Sequence, residues 1–148
     1  MKGLVQRVLN ASVEVDGREI SRIDTGILVL LGVERGDGQN ETQQLLRKIL
    51  TYRIFPDEAG RMNLSVLDAG GALLVVPQFT LAADTSSGTR PGFSCAAAPD
   101  LAEIQYASFL DLARAELGAA RVGEGLFGAD MKVSLINDGP VTFMLSTR

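Results

Sequence analysis

Strand-like segments dominate the pattern of apolar and polar residues along this chain. Residues 12–16 alternate, with Val13 and Val15 on one face, and the Asp16-Gly17 turn predicts that residues 18–23 return antiparallel. Residues 27–33 are nearly all apolar, which is typical of a strand buried on both faces. Further strands are predicted at residues 4–9, 62–66, 72–76, 131–135 and 141–145.

Two other segments carry apolar residues at helical spacing. In the first, Asn40 is predicted to be the N-cap and Gln43 to complete a capping box, and the helix ends near Tyr52. The second begins at Pro99 and ends at Gly118. The residues expected to be buried are Leu45, Leu46, Ile49 and Leu50 in the first helix and Tyr106, Phe109, Leu110, Ala113 and Leu117 in the second.

Strands with two helices between them predict an α+β fold. We expect a mostly antiparallel, barrel-like sheet with two main packed helices, formed by a single domain over residues 1–148. Residues 84–99 are rich in Ser, Thr, Gly and Pro and are predicted to be an irregular loop. A loop of that length in a compact chain is more often functional than idle.

The chain has no histidine and one cysteine, Cys95. This composition excludes catalytic triads that contain His, the usual zinc sites and an intramolecular disulfide. Cys95 lies among small residues, so we expect a packed, inert thiol. Catalysis must use carboxylates, hydroxyls, Lys or Arg, backbone amides or substrate groups, and a carboxylate-based metal hydrolase would lack any clustered ligand motif.

The net charge of −4 argues against an extensive basic surface for nucleic acid. Local basic clusters stay possible, with Arg7, Arg47, Lys48, Arg53, Arg90 and Lys132 as candidates. No apolar run approaches the length of a membrane span, and the N-terminus has no signal-peptide pattern. We therefore expect a cytoplasmic protein with no membrane partner.

Two motifs interrupt the strand pattern. Pro77-Gln78-Phe79-Thr80-Leu81 follows an apolar strand and would present backbone amides and a Thr hydroxyl at the end of a sheet. Asn137-Asp138-Gly139-Pro140-Val141-Thr142 places Gly-Pro between two apolar segments. From spacing alone the second motif predicts a hairpin turn, although Gly and Pro together can also make a stiff edge of bare backbone.

Together the two motifs resemble the D-aminoacyl-tRNA deacylase family, and supporting stretches extend the resemblance over the whole chain. It implies a β-barrel-like dimer with helices outside, whose Gly-Pro motif enters the partner's site. It also implies hydrolysis of the ester between a D-amino acid and the 3′ end of tRNA, without a cofactor or metal. The supporting stretches are Gln6-Arg7-Val8, Leu30-Leu31-Gly32-Val33, Tyr52-Arg53-Ile54-Phe55, Met62-Asn63-Leu64, Thr89-Arg90-Pro91 and Ala129-Asp130-Met131.

The resemblance also implies the catalytic residues, at Gln78, Phe79 and Thr80. The backbone amides of Phe79 and Thr80 are candidates for stabilising the oxyanion. The Thr80 hydroxyl could act as a nucleophile, position the ester or water, or cap its own turn. Positioning is favoured, because no histidine is present to activate a nucleophile.

The remaining candidates concern chirality and tRNA. Gly139 and Pro140, a cis pair in the family, would exclude every L side chain sterically. Arg7 is expected to support this loop by donating hydrogen bonds to the carbonyls of the loop, unless it is only a surface charge. Asn137 is a second supporting candidate. Arg90 and Lys132 are candidate tRNA contacts, although Arg90 could instead order the long loop.

Two positions depart from the family pattern. Pro77 replaces the usual Ser, which removes a backbone N–H and a hydroxyl, and Ser87 stands where many relatives have a basic residue. A branch with relaxed chirality also has Pro at that place but lacks Phe79. Two alternatives therefore stay open: an editing deacylase acting on glycyl- or L-aminoacyl-tRNA, and a non-catalytic module that binds RNA 3′ ends.

Overall fold

The computed structural model describes residues 1–148, which form eight strands and three α-helices. The strands are β1 (Lys2–Val15), β2 (Arg18–Ile23), β3 (Gly26–Gly32), β4 (Phe55–Pro56), β5 (Met62–Leu64), β6 (Ala72–Pro77), β7 (Val122–Glu124) and β8 (Lys132–Ser146). The helices are α1 (Gln39–Thr51), α2 (Val66–Ala69) and α3 (Pro99–Leu117). No helix combines the length and apolar character that crossing a bilayer requires.

Strand β1 organises the main sheet. It pairs antiparallel with β2 and β3 and, along nearly its whole length, with β8. β3, β6 and β7 continue the sheet as parallel neighbours. The sheet curls until the Glu124 N–H on β7 donates to Ser21 Oγ on β2 at 3.1 Å. The predicted α+β, mostly antiparallel and barrel-like fold with two main helices is confirmed, with a parallel part that was not predicted.

The sheet has a hydrophobic core on each face. Both predicted helical stripes are buried, and they pack on the sheet residues Val5, Ile27 and Val29. On the other face, Val8, Leu28 and Val76 form a smaller cluster inside the curve of the sheet. Apolar side chains on both faces explain why β3 and β6 have nearly continuous apolar sequences.

Some predicted boundaries are wrong. The N-cap of α1 is Gly38, whose N–H donates to Glu41 at 2.8 Å, rather than Asn40 with Gln43. The strand predicted at residues 62–66 ends at residue 64, because Ser65 caps α2 by accepting the Asp68 N–H at 3.1 Å. β1 is one strand instead of two, and the three-residue strand β7 was not predicted.

Two residue-level expectations are also wrong. Cys95 is exposed rather than packed. Gly139-Pro140 is not a hairpin turn, because residues on both sides of it pair with the same strand β1 in the same direction. The pair instead interrupts the middle of the long strand β8.

Candidate active site

The first motif forms a tight turn at the end of β6. After Pro77 the chain enters a 3-10 helix over Phe79–Ala82, and the Gln78 N–H donates to Leu31 O at 2.7 Å. Gly32 permits this packing, because a Cβ there would lie 2.9 Å from Leu81 Cβ and 3.1 Å from Gln78 O. The bare backbone of β3 therefore fixes the position of the turn.

The turn leaves two adjacent peptide N–H groups without partners. Neither Phe79 N–H nor Thr80 N–H donates a hydrogen bond to another group of the chain, as is usual in the first residues of a helical turn. Both residues are exposed. Two neighbouring donors can thus bind an oxygen of a ligand at the end of β6.

The Thr80 hydroxyl lies within the same turn. Its Oγ1 accepts a hydrogen bond from Gln78 Nε2 at 2.5 Å, which leaves the hydroxyl hydrogen available to donate. No carboxylate or amine of the chain hydrogen-bonds to it. The geometry therefore provides no internal base for Thr80.

A pocket of about 460 Å³ opens beside the turn, and we call it the inner pocket. It lies between the end of β6, the start of α3 and residues 127–133. No charged side chain lines it. The lining residues are Val76, Pro77, Gln78, Phe79, Ala97, Pro99, Ala102, Phe127, Gly128, Ala129, Met131 and Val133.

Tyr106 supports the segments that line the inner pocket, although it does not line the pocket itself. Its hydroxyl lies 2.7 Å from Gly125 O and 3.1 Å from Val75 O, so it joins α3 to β6 and to the segment that leads to Phe127. Burial, with a smaller contribution from the Glu124 charge, raises the pKa of Tyr106 above its usual value. The hydroxyl consequently stays a donor throughout the physiological pH range.

The second motif forms a bulge in β8. Thr142 pairs with Gln6 and Asn137 with Val8, so residues 138–141 lie opposite Arg7 alone. The Gly139-Pro140 peptide is cis, and Gly139 has φ +141°. Both residues of the pair are exposed, so this bulge presents bare backbone on the surface.

Side chains on both strands brace the bulge. Asn137 Oδ1 accepts the Val141 N–H at 2.7 Å, and its Nδ2 donates to Thr142 Oγ1 at 2.8 Å. Arg7 Nε donates to Asp138 O at 3.0 Å, and another of its nitrogens donates to Ile54 O at 2.6 Å. The Arg7 side chain is only 11% exposed, so it is not a free surface charge.

Within one chain, the first motif and the Gly-Pro motif lie far from each other. Lys2 Nζ lies 3.5 Å from Leu81 O in the first motif, whereas Arg7 contacts the second. Lys2 and Arg7 are five positions apart on β1, which is about 17 Å in an extended strand. Gly139 and Pro140 therefore do not reach Gln78, Phe79 and Thr80 of their own chain.

The predicted tRNA-contacting residues line no part of the inner pocket. Lys132 is 70% exposed and pairs with Asp130 at 2.9 Å. Arg90 is exposed in the long loop and makes no hydrogen bond or ion pair within the chain. Gly32 and Tyr106, in contrast, were not predicted to serve the site. A glycine near the end of a buried strand was the signal for the first, and Tyr106 was predicted only as core.

Comparison with known proteins agrees with this geometry. The profile of the family described as D-Tyr-tRNA(Tyr) deacylase matches residues 4–146. A D-aminoacyl-tRNA deacylase of Marinobacter nauticus is 69% identical over 99% of this chain and 94% of its own length.

Two solved structures share the fold. One, titled c-Myc DNA unwinding element binding protein, has a TM-score of 0.96 and 44% identity and covers 100% of this chain and 99% of its own. The other, titled a probable eukaryotic D-amino acid tRNA deacylase, has a TM-score of 0.81 and 18% identity and covers 97% of both chains. The family resemblance noted in the sequence is thus confirmed: the chain belongs to the D-Tyr-tRNA(Tyr) deacylase family.

Proposed function

We propose that this chain hydrolyses the ester that joins a D-amino acid to the 3′ end of tRNA, releasing the free amino acid and tRNA. The observation that carries the proposal is the pair of free N–H groups at Phe79 and Thr80 beside an uncharged pocket, in a member of this family. An aminoacyl ester is already activated, so the protein mainly has to bind it and stabilise the oxyanion.

The backbone donors supply that stabilisation. Hydrogen-bond donors aimed at a developing oxyanion contribute about 3–4 kcal/mol each in other enzymes. The ribose 2′-hydroxyl next to the ester can activate water or relay a proton, which replaces the missing histidine. Thr80, oriented by Gln78 at 2.5 Å, then positions water or the ester.

Chirality is selected by backbone rather than by a side-chain pocket. The bulge braced by Asn137 and Arg7 is rigid, and Gly139 and Pro140 carry no functional side chain that could favour one amino acid. Backbone held against the substrate Cα would collide with any L side chain. Thousandfold exclusion needs only about 4 kcal/mol, which a steric clash supplies.

The separation of the two motifs in one chain supports a homodimer in which the Gly-Pro motif of each subunit enters the partner's site. The outer edge of β8 pairs with no strand, and Ile136 and Met144 on β8 are 52% and 51% exposed. Such an edge is suited to association. Sedimentation should show a dimer, and a monomer that still rejects L esters would contradict insertion across an interface.

The central test compares hydrolysis of D-tyrosyl-, L-tyrosyl- and glycyl-tRNA with a chelator present. We expect rapid cleavage of the D ester, sparing of the L ester and at least partial cleavage of the glycyl ester, because glycine has no side chain to exclude. Cleavage of the L ester would instead support the relaxed-chirality alternative that Pro77 raises. Binding without turnover would support a non-catalytic module.

A Thr80→Ala variant tests the role of the hydroxyl. We expect reduced but measurable turnover of the D ester, because the two N–H donors stay in place. The Gln78 amide would lose its acceptor in this variant, so Thr80→Ser serves as the control that retains a hydroxyl. Abolished turnover in Thr80→Ala, together with an acyl-enzyme trapped in the unmodified protein, would show that Thr80 is a nucleophile.

A further inference from the structure

A second depression lies on the other side of Phe79, and we call it the outer depression. It has a volume of about 540 Å³ and shares Phe79, Ala97 and Pro99 with the inner pocket. The Phe79 ring thus forms a wall common to both. A ligand that fills the inner pocket can continue past this ring into the outer depression.

Two aromatic rings are exposed in the outer depression. Phe79 is 60% exposed and Phe93 is 41% exposed, and their ring centroids are 5.1 Å apart at an angle of 47°. Contiguous exposed apolar surface often marks a site of interaction. Such rings are the surfaces on which the bases of single-stranded RNA stack.

The outer depression also carries the positive charge that the inner pocket lacks. Arg35 is the only basic side chain among the residues that line either cavity. It is exposed and has no carboxylate within 4 Å. The nearby Asp37 does not cancel this charge, because its buried carboxylate is already paired with the Met1 ammonium at 2.7 Å and with Arg148 at 2.6 Å.

Backbone hydrogen bonds fix both walls of the outer depression. The Arg35 N–H donates to Cys95 O at 2.8 Å, and the Ala97 N–H donates to Val33 O at 3.1 Å. The Ala96 N–H donates to Phe93 O at 3.1 Å and closes the turn that carries Phe93. The backbone segments that carry Phe93 and Arg35 are therefore held in place before any ligand binds.

We infer that the outer depression binds the penultimate nucleotide of the aminoacylated RNA, with its base against Phe93 and the phosphate that follows it near Arg35. This inference rests on the proposed function and extends it. A terminal nucleoside is uncharged up to its 5′ phosphate. The protein has the same order of groups: the uncharged inner pocket corresponds to the nucleoside, and Arg35, on the other side of the Phe79 ring, corresponds to the phosphate.

The first test compares a long substrate with a short one. Arg35→Ala and Phe93→Leu should each lower kcat/KM for D-tyrosyl-tRNA about tenfold, and leave kcat/KM for the 3′-D-tyrosyl ester of adenosine unchanged. Phe93→Tyr should restore activity on tRNA.

The matched charge control is Arg18→Ala, because Arg18 is exposed at the β1–β2 hairpin without a carboxylate partner. Equal losses on both substrates, or no loss on tRNA, would overturn the inference.

A binding measurement separates this inference from the proposed function. The probe is a fluorescent CCA ribonucleotide without an amino acid. Arg35→Ala should weaken its binding about tenfold and reduce the slope of log K against log salt by about 0.7, the value for one phosphate on a single strand. A protein that binds CCA through Arg35 but cleaves no ester would contradict the proposed function alone. Unchanged affinity and slope in Arg35→Ala would contradict the outer site.

Discussion

At the scale of single residues, Gly139 is a position that tolerates substitution poorly. Its φ of +141° is unfavourable for any L side chain, and a Cβ there would lie 2.6 Å from Val141 Cγ2 and 3.0 Å from Val141 N. The bulge can keep its shape only while this position has no side chain. Gly139 therefore has a structural role that does not depend on the role in chirality that we propose for it.

We predict that Gly139→Ala lowers the free energy of unfolding by about 2–4 kcal/mol, from backbone strain together with the clash. Urea denaturation measures this change. The control is Gly17→Ala, which has φ +76° and no atom within 4 Å of the added Cβ, so only about 1 kcal/mol of strain is expected. Equal losses in the two variants would show that the clash at Val141 contributes nothing.

The residue scale is also where sequence reasoning is least reliable. Gly38 with Glu41 and Asn40 with Gln43 have the same spacing, so local sequence cannot choose between the two caps. The Gly-Pro bulge depends on Arg7, which is 131 residues distant from Asp138 along the chain. Local spacing alone therefore predicts the hairpin that the structure excludes.

At the scale of elements, the turn after β6 depends on its contact with β3. Gly32 leaves room for Leu81 and for the Gln78 carbonyl, and the Gln78 N–H donates to Leu31 O on the same strand. Larger residues at Gly32 must push the turn outward. The site is therefore sensitive to a residue that contacts no substrate.

We predict that Gly32→Ala lowers kcat/KM about 10- to 100-fold, as expected when donors shift by about 1 Å. The matched control is Gly3→Ala on β1. Gly3 pairs with Leu31, and the added Cβ would meet only the ends of Ile49 and Leu45 side chains at 3.4–3.7 Å. Full activity in Gly32→Ala would show that the turn does not need this close packing.

Helix α3 contributes to the site through Tyr106. We predict that Tyr106→Phe lowers the free energy of unfolding by about 1–3 kcal/mol, because the carbonyls of Val75 and Gly125 lose a buried donor. It should also speed hydrogen exchange in residues 125–131. Tyr52→Phe is the control, because the Tyr52 hydroxyl makes no hydrogen bond in the chain, and comparable losses in both variants would contradict this role.

The long elements, by contrast, are predicted well from sequence. Both helical stripes and the two apolar strands follow from periodicity, because each buries one face or both against the sheet. The parallel pairing of β3, β6 and β7 does not follow from periodicity, because it depends on how the chain crosses over between strands and not on the local pattern. The candidate catalytic turn after β6 was identified by its resemblance to a family, and the supports from Gly32 and Tyr106 needed the structure.

At the scale of the whole molecule, the absence of histidine shapes the response to pH. No side chain has a usual pKa between those of the carboxylates and of Cys95. The hydrogen bond from the Gly38 N–H lowers the pKa of Glu41, and bonds from the Ser65 N–H and hydroxyl lower the pKa of Asp68. A carboxylate whose pKa is lowered by folding stabilises the fold at pH values above its pKa in the unfolded chain. It loses that contribution as the pH falls.

We therefore predict a urea midpoint that is flat between about pH 5.5 and 7 and falls below about pH 4.5, where these carboxylates protonate. Denaturation series from pH 7 to pH 3 measure it. The double variant Glu41→Gln and Asp68→Asn should be less stable at pH 7 and show a shallower acid decline. A transition centred near pH 6.5 would contradict the assignment.

The unpartnered N–H groups of Phe79 and Thr80 belong to the main chain, so every residue type except proline supplies them. Scanning the site with alanine would leave both donors intact and assign them no importance. Chemical synthesis offers the appropriate probe. Replacing the peptide bond before Thr80 by an ester removes one donor and keeps every side chain, which isolates what the backbone itself does.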